Sequence, residues 1–180
     1  RYALDLADTP ADLDALLRDA SAAGESARLG AGFCWKWSDP RPDGSLADDV
    51  VVGDWRRPWN RKAGDRAYKP AEHPYTLWAE TAAGESQVGC IYSAQGFEFG
   101  RVGVIWGPDL VWRTDRWVAQ KVESHARPVK AAPNMLELVR NAYRVLLTRG
   151  LRGARLLVLE AETRERVRGA MGEAGGRAEG

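Results

Sequence analysis

Two short segments of the chain carry residue types that can handle a bound phosphate and a sugar. In Ser93–Glu98, Gly96 would let the backbone approach a phosphate, and Glu98 could accept hydrogen bonds from ribose hydroxyls. The second segment supplies Arg149, whose guanidinium can reach a phosphate across a cleft. Each segment also has an ordinary structural interpretation, because Gly-x-Glu turns are common and an arginine near a helix C-terminus complements the helix dipole.

Predicted strands and one long helix would position these residues. The runs Val88–Tyr92 and Val102–Trp106 are short, nearly uncharged and rich in β-branched and aromatic residues, which is typical of strands buried on both faces of a sheet. Ligands usually bind at the carboxyl ends of such strands, so we expect Ser93–Glu98 at that edge. Arg149 ends the strongest predicted helix, which begins at Pro133-Asn134 and stops at Gly150.

The remaining pattern alternates strands with helices. Further strands are predicted at Tyr2–Leu6, Ala27–Trp35, Asp48–Asp54, Thr76–Ala79 and Ala154–Leu159, helices at Thr9–Gly24 and Glu160–Met171, a hairpin from Leu110–Trp112 and Trp117–Gln120 around Thr114-Asp115, and loops at Asp39–Gly44 and Glu123–Lys130. This order indicates an α/β fold, with a mainly parallel sheet flanked by helices and a β-hairpin excursion. We expect one domain over residues 1–172 and a disordered tail over residues 173–180.

Composition limits the function classes. The net charge is +1, so attraction to nucleic acid must come from a local patch. No stretch approaches the ~20 apolar residues of a membrane span and no signal peptide opens the chain, so we expect no membrane partner. Cys34 and Cys90 lie in apolar runs without metal-ligand spacing, which predicts free thiols in the reducing cytoplasm and no metal site. The start at Arg1 without Met suggests a fragment of a longer protein.

The best local candidate for nucleic-acid contact is Trp55–Lys62, WRRPWNRK, which contains four cations and no acid. Its basic side chains can neutralise phosphates, and its tryptophans can stack on the bases of a single strand. The alternative is a solvated loop whose tryptophans anchor it to the sheet, and both interpretations remain open. The candidate contacts are Arg56, Arg57, Arg61, Lys62, Trp55 and Trp59.

The two phosphate-handling segments, in this order, resemble motifs of superfamily 1 helicases. Tyr92–Phe99, YSAQGFEF, resembles motif V, whose usual form is close to H-S-A-K-G-L-E-F. Asn141–Gly150, NAYRVLLTRG, resembles motif VI, whose usual form is close to L-x-Y-V-A-L-T-R-A. A closer similarity is to the bacterial DNA/RNA helicase family related to the Schlafen group 3 helicase domain. It covers roughly Ala27 to Glu160 and includes the blocks Gly32–Trp35, Asp54–Asn60, Gln87–Phe99 and Tyr143–Gly150.

The resemblance implies the second RecA-like domain of a two-domain ATPase. Gly96 would then lie near the nucleotide phosphates, Glu98 would hold the ribose, and Arg149 would face the γ-phosphate as the motif VI arginine. Gln95 takes the place of the usual motif V lysine beside the phosphates. Tyr92 occupies the position of the motif V histidine that touches the nucleic-acid backbone, and the adjoining Ser93 is assigned to the same contact.

The sequence has no G-x-x-x-x-G-K-[ST] loop and no apolar strand ending in Asp-Glu. ATP and Mg²⁺ would therefore be held mainly by an N-terminal RecA-like domain of the same parent chain, and the chain alone is predicted to be inactive. The expected function is the C-terminal motor lobe of an ATP-dependent DNA/RNA helicase or translocase, and the expected partner is DNA or RNA that is single-stranded where it contacts the lobe. The alternative is a non-catalytic nucleic-acid or protein interaction module with a RecA-like shape.

Overall fold

A five-stranded parallel sheet organises the chain in a computed structural model that describes residues 2–62 and 78–176. The strand order is β1-β9-β6-β2-β5, from Ala3–Leu6 (β1), Gly150–Val158 (β9), Phe99–Trp106 (β6), Ala27–Ala31 (β2) and Val88–Gly89 (β5). All four strand pairs in this sheet are parallel. The topology confirms the predicted α/β class and is consistent with the RecA-like fold.

Helices cover both faces of the sheet, which explains the nearly continuous apolar runs of its inner strands. Val104 and Leu156 face one core cluster together with helix α4, Met135–Leu147. The adjoining residues of the same strands, Ile105 and Leu157, face a second cluster. That second cluster includes Leu13 and Leu17 of helix α1, Pro10–Ala22. Because successive side chains of a strand point to opposite faces, both sets are removed from water.

The start of α1 follows the predicted capping chemistry. Thr9 precedes the helix and Pro10 opens it. The Asp12 carboxylate accepts hydrogen bonds from the backbone N–H groups of Asp8 and Thr9, each at 2.8 Å, and from the Thr9 hydroxyl at 3.1 Å. These hydrogen bonds lower the pKa of Asp12. They satisfy the backbone N–H groups of the two residues just before the helix, as the side chain at the third helical position does in a capping box.

The predicted hairpin is also present. Strands β7, Leu110–Arg113, and β8, Arg116–Ala119, pair antiparallel outside the main sheet. The intervening Thr114 and Asp115 have φ angles of 44° and 70°, which tight two-residue hairpin turns require. Helix α5, Ala161–Gly176, packs against β7 and β9.

Several boundaries differ from the predictions. The strand predicted over Val88–Tyr92 stops at Gly89, and Ile91–Ala94 forms a short helix, α2. The prediction was wrong here because a short apolar run does not by itself distinguish a strand from a helical turn. The predicted strand Ala27–Trp35 ends at Ala31. Part of the predicted loop Glu123–Lys130 belongs to helix α3, Arg127–Ala131. Strand β3, Val50–Val52, pairs antiparallel with an unpredicted strand β4, Trp55–Arg57.

Two predictions fall partly outside the described residues. Of the predicted strand Thr76–Ala79, only Trp78 and Ala79 are described, and neither lies in a strand. A short 3-10 helix, Ala82–Ser86, follows them. Helix α5 extends to Gly176, and the remaining tail residues, 177–180, lie outside the described part, so the tail stays a prediction.

Candidate functional site

The two motif segments meet at the amino edge of the sheet. Gln95–Glu98 directly precedes β6, and Arg149 directly precedes β9, the strand that pairs with β6. The Phe99 N–H donates a hydrogen bond to the Arg149 carbonyl at 2.8 Å. The position predicted for Ser93–Glu98 at the carboxyl edge is therefore wrong for its second half. Helix α2 and the residues after it lead the chain from the end of β5 back to the start of β6.

The side chain of Arg149 is docked on the turn that carries Gly96. Its Nη1 donates to the Phe97 carbonyl at 3.3 Å, and its Nε donates to the Val145 carbonyl of α4 at 3.1 Å. Its Nη2 lies 3.4 Å from the Thr148 hydroxyl oxygen. All of these partners are uncharged oxygens, so they orient the guanidinium without neutralising its charge, and no ion pair of Arg149 is found among the described residues.

Gly96 is required by the backbone conformation. Its φ of +86° lies in the left-handed region that side-chain-bearing residues rarely adopt. Among the described residues, a Cβ added at Gly96 would meet no atom within 4 Å, so the space beside this residue is open. Its neighbours Gln95 and Glu98 are exposed. The amino edge thus presents a turn, a carboxylate and an amide to solvent beside the docked arginine.

This set of groups fits one side of a nucleotide site. A guanidinium without an acidic partner suits a phosphate, and an exposed carboxylate suits ribose hydroxyls. Within residues 2–62 and 78–176, no group of three or more His, Cys, Asp or Glu residues could hold a metal ion. Arg149, Gly96, Gln95 and Glu98 are the groups of this edge that could meet a nucleotide.

Tyr92 and Ser93 differ in availability although they are adjacent in α2. The side chain of Tyr92 is 57% exposed, so it can contact a bound strand. Ser93 is half-buried, and its hydroxyl donates to the Asn60 Oδ1 at 2.8 Å and lies 3.6 Å from the Cys90 sulfur. Ser93 thus links α2 to the Trp55–Lys62 segment, whereas Tyr92 faces outward.

Trp59 lies in the core, where it cannot serve the predicted stacking on bases. It is 1% exposed, its ring stacks on Phe33 with centroids 5.6 Å apart, and its Nε1 donates to the Lys36 carbonyl at 3.1 Å. The backbone on either side of Trp59 pairs with Val88: Val88 N–H donates to Pro58 O, and Asn60 N–H donates to Val88 O, both at 2.9 Å. Trp59 thus has the anchoring role that was the alternative interpretation.

The cations of the same segment are mostly engaged within the chain. Arg57 forms an ion pair with Asp14 at 2.7 Å and also donates to the Glu85 carbonyl. Arg61 donates to the Gly44 carbonyl at 2.6 Å, and Lys62 pairs with Asp39 at 2.9 Å. Arg56 is exposed. The cations of Trp55–Lys62 therefore mainly form ion pairs and hydrogen bonds within the chain, and Arg56 is the one best placed to contact a phosphate.

The carboxyl edge holds a buried polar network that the sequence did not reveal. Asp109 is 3% exposed, and its Oδ1 accepts a hydrogen bond from the Tyr143 hydroxyl at 2.6 Å. The same hydroxyl accepts from the Gly107 N–H at 2.9 Å. Burial raises the pKa of Asp109 and also that of the neighbouring Cys34 thiol. A possible sequence signal was the tyrosine of the motif VI block, which lies on the apolar face of α4.

Cys34 is half-buried and Cys90 is buried, and both thiols are free. Burial raises the pKa of Cys90 as well. Among the described residues, no helix is long and apolar enough to cross a membrane.

Comparison with known proteins gives one family and one curated relative. The family described as the Schlafen group 3 DNA/RNA helicase domain matches residues 1–160. The uncharacterized protein YPL245W of Saccharomyces cerevisiae is 30% identical over 134 residues, which cover 66% of this chain. That alignment spans 27% of the yeast protein, so the chain corresponds to about a quarter of its length. No solved structure matches.

Proposed function

The chain belongs to the Schlafen group 3 DNA/RNA helicase domain family, and from this premise we propose that it is the C-terminal motor lobe of an ATP-dependent helicase or translocase. The lobe would supply motif V, Tyr92–Phe99, and motif VI, Asn141–Gly150, to an ATP site shared with an N-terminal RecA-like domain of the same parent chain. A DNA or RNA strand, single-stranded where it meets the lobe, would be the other partner.

The observation that carries this proposal is the contact between the Arg149 guanidinium and the Phe97 carbonyl at 3.3 Å. It joins two segments that are 52 residues apart in the chain. Both are the segments whose residue types suit a nucleotide. A helicase lobe requires its motif V turn and its motif VI arginine to act on one nucleotide, and this contact supports that arrangement.

The charge of each residue decides its proposed role at the ATP site. When bound with Mg²⁺, ATP supplies the phosphoryl group whose transfer to water releases the free energy. Arg149 would stabilise the negative charge that spreads over the transferred group, because its present partners are neutral oxygens. Glu98 would orient the ribose, Gly96 would shape the turn, and Gln95 would lie beside the phosphates. Tyr92 would contact the nucleic-acid backbone.

The test is Arg149→Ala in the complete protein. We expect ATP turnover to fall by ~10³-fold with nucleotide binding retained, since an arginine of this type acts mainly in the transition state. Turnover is measured by phosphate release, and binding by the fluorescence of a labelled ATP analogue. Arg140→Ala is the matched control, because Arg140 is exposed on the same helix, and it should leave turnover unchanged.

Two results would contradict the proposal in different ways. Near-normal turnover by the Arg149→Ala protein would remove the catalytic role of Arg149. A complete protein that neither binds nor hydrolyses ATP would instead favour the non-catalytic interaction module.

A further inference from the structure

An open groove between the β7–β8 hairpin and the helices α3 and α4 carries a concentrated positive charge. Three cations, Arg116, Lys121 and Lys130, line it, together with apolar side chains that include Trp117 and Leu136 and with no acidic residue. We call this groove, which these residues and five further uncharged residues of the hairpin and of the segment from 132 to 135 line, the basic groove. The whole chain has a net charge of +1, so basic and acidic residues nearly balance. Three cations without an acid in one groove are therefore a local excess of positive charge.

The cations of the basic groove are not consumed by internal ion pairs. On the same hairpin, Arg113 is paired with Glu160 at 3.1 Å and with Glu162 at 3.2 Å. Within the described part of the chain, Arg116, Lys121 and Lys130 have no such acidic partner. Arg116 and Lys121 are exposed, and Lys130 is half-buried. Their charge is therefore available to an anionic ligand.

The groove has a rigid aromatic wall. Trp117 stacks on Trp106 with ring centroids 5.5 Å apart, and Trp106 stacks on Tyr143 at 4.4 Å. Trp117 is the half-buried outer member of this column, whereas Trp106 and Tyr143 are buried. The end of the hairpin is fixed as well, because the Gln120 N–H donates to the Asp109 carbonyl at 2.8 Å. A preformed wall of this kind lowers the ordering cost of binding.

Helix α3 connects the basic groove to Tyr92. Val129 of α3 lines a small apolar cavity together with Tyr92, whereas the next residue, Lys130, lines the basic groove. The five-residue helix α3 thus has one residue beside the exposed Tyr92 and the next, Lys130, in the basic groove. A strand in contact with Tyr92 can continue across α3 into the groove.

We propose that the basic groove binds the phosphate backbone of single-stranded nucleic acid as it continues from Tyr92. The inference rests on the nucleic-acid part of the proposed function and extends it to residues outside the helicase motifs. Arg116, Lys121 and Lys130 contact phosphates, and the apolar floor with Trp117 accepts the face of a base. Flexible single strands suit this groove because it combines separated cations with an aromatic surface.

The test measures single-strand binding by the complete protein over a salt series. Fluorescence anisotropy of a labelled oligothymidylate, and of an oligouridylate of the same length, gives the slope of log affinity against log salt. The variant is Lys121→Gln with Lys130→Gln. We expect the magnitude of the slope to fall by about 1.4, since each lost phosphate contact removes ~0.7 for single strands. Arg116→Gln alone should lower it by about 0.7.

The matched control is Arg18→Gln with Arg168→Gln, which removes the same charge from exposed positions on α1 and α5. We expect this control to keep the slope of the unmodified protein. A slope that is equal in the groove variant and the control would overturn the inference. So would a groove variant that weakens binding of poly-glutamate and leaves the oligonucleotide slope intact, because the groove would then fit an acidic protein segment.

The outcomes also separate this inference from the proposed motor. If Arg149→Ala abolishes ATP turnover and the groove variant keeps its slope, the motor lobe stands and the groove assignment fails. If the slope falls in the groove variant and the complete protein hydrolyses no ATP, the groove assignment stands and the motor role fails. If the unmodified protein binds neither oligonucleotide, the groove assignment fails.

Discussion

At the carboxyl edge of the sheet, Asp109, Tyr143 and Gly107 satisfy one another's hydrogen bonds in a buried network, whereas the amino edge exposes Gln95, Gly96 and Glu98 to solvent. Arg149 lies between these extremes, half-buried and bound to neutral oxygens. Both edges are rich in polar groups, and they differ in whether those groups already have partners.

The contrast shows how to separate structural polar residues from those available to a ligand. A buried carboxyl with complete hydrogen bonding mainly fixes local geometry, and removing a partner leaves an unsatisfied group. An exposed carboxylate beside an uncompensated guanidinium adds little to stability and can serve a bound anion. In this chain the polar groups at the carboxyl edge are buried and bonded to one another, whereas those at the amino edge are exposed.

The strongest test of the comparison is Gly32→Ala at the carboxyl edge. A Cβ at Gly32 would lie 1.9 Å from the Tyr143 hydroxyl oxygen, which is buried and hydrogen-bonded on two sides. We expect a loss of about 3 kcal/mol in the free energy of unfolding, since the ring must move and its partners are stranded. Urea denaturation followed by tryptophan fluorescence measures the loss.

Gly169→Ala is the control for Gly32→Ala, because a Cβ there meets no atom within 4 Å and the residue lies in helix α5. It should be neutral or stabilise by up to ~1 kcal/mol. If Gly32→Ala were as well tolerated as this control, the carboxyl edge would not be the filled network described above.

A smaller effect is expected from Tyr143→Phe, which removes one hydroxyl and keeps the ring. The change leaves the buried Gly107 N–H without its partner and takes one hydrogen bond from the buried Asp109 carboxyl, at a cost of about 2 kcal/mol in the free energy of unfolding. Tyr2→Phe is the control, because the Tyr2 hydroxyl donates to the Leu147 carbonyl from an exposed position. Equal losses for the two variants would show that burial of the network adds nothing.

The smallest stability effect is expected from Gly96→Ala at the amino edge. A side chain costs about 1 kcal/mol at a φ of +86°, and no clash adds to it. Gly44→Ala is the control, since Gly44 has a φ of +82° and equally open surroundings. Both variants should lose the same stability in urea denaturation, and only Gly96→Ala should also slow ATP turnover by the complete protein. Equal turnover for both would contradict a functional role for the Gly96 turn.

Much of the fold was predictable from local patterns. The long helix before Arg149, the hairpin around Thr114-Asp115 and the strand that became β6 were placed within a few residues, because apolar spacing, capping residues and turn residues act over short distances. The Val88–Tyr92 run was harder. Its apolar character suits a strand or a helical turn equally. In the structure it continues as helix α2, in which the Ser93 hydroxyl donates a hydrogen bond to Asn60 Oδ1.

The site residues stay a prediction, and the structure changes the edge of the sheet at which Gly96 and Glu98 lie. The residue types of Gly96, Glu98 and Arg149 pointed to a nucleotide, but the choice between the two edges of the sheet depended on how far α2 carries the chain back. Trp59 was misplaced for a similar reason. Tryptophans of this segment suit either a base or a core, and the pairing of the backbone around Trp59 with Val88 puts its side chain inside.

The sequence by itself determined the family, the α/β class and the residue types at the two motif segments, since each of these depends on local composition and spacing. Only the tertiary structure decided that Arg149 meets the Phe97 carbonyl, that Asp109 and Tyr143 close the opposite edge, and that Arg116, Lys121 and Lys130 share one groove. These neighbours are far apart in the chain, and parallel strand pairing and helix packing bring them together over distances that local patterns do not encode.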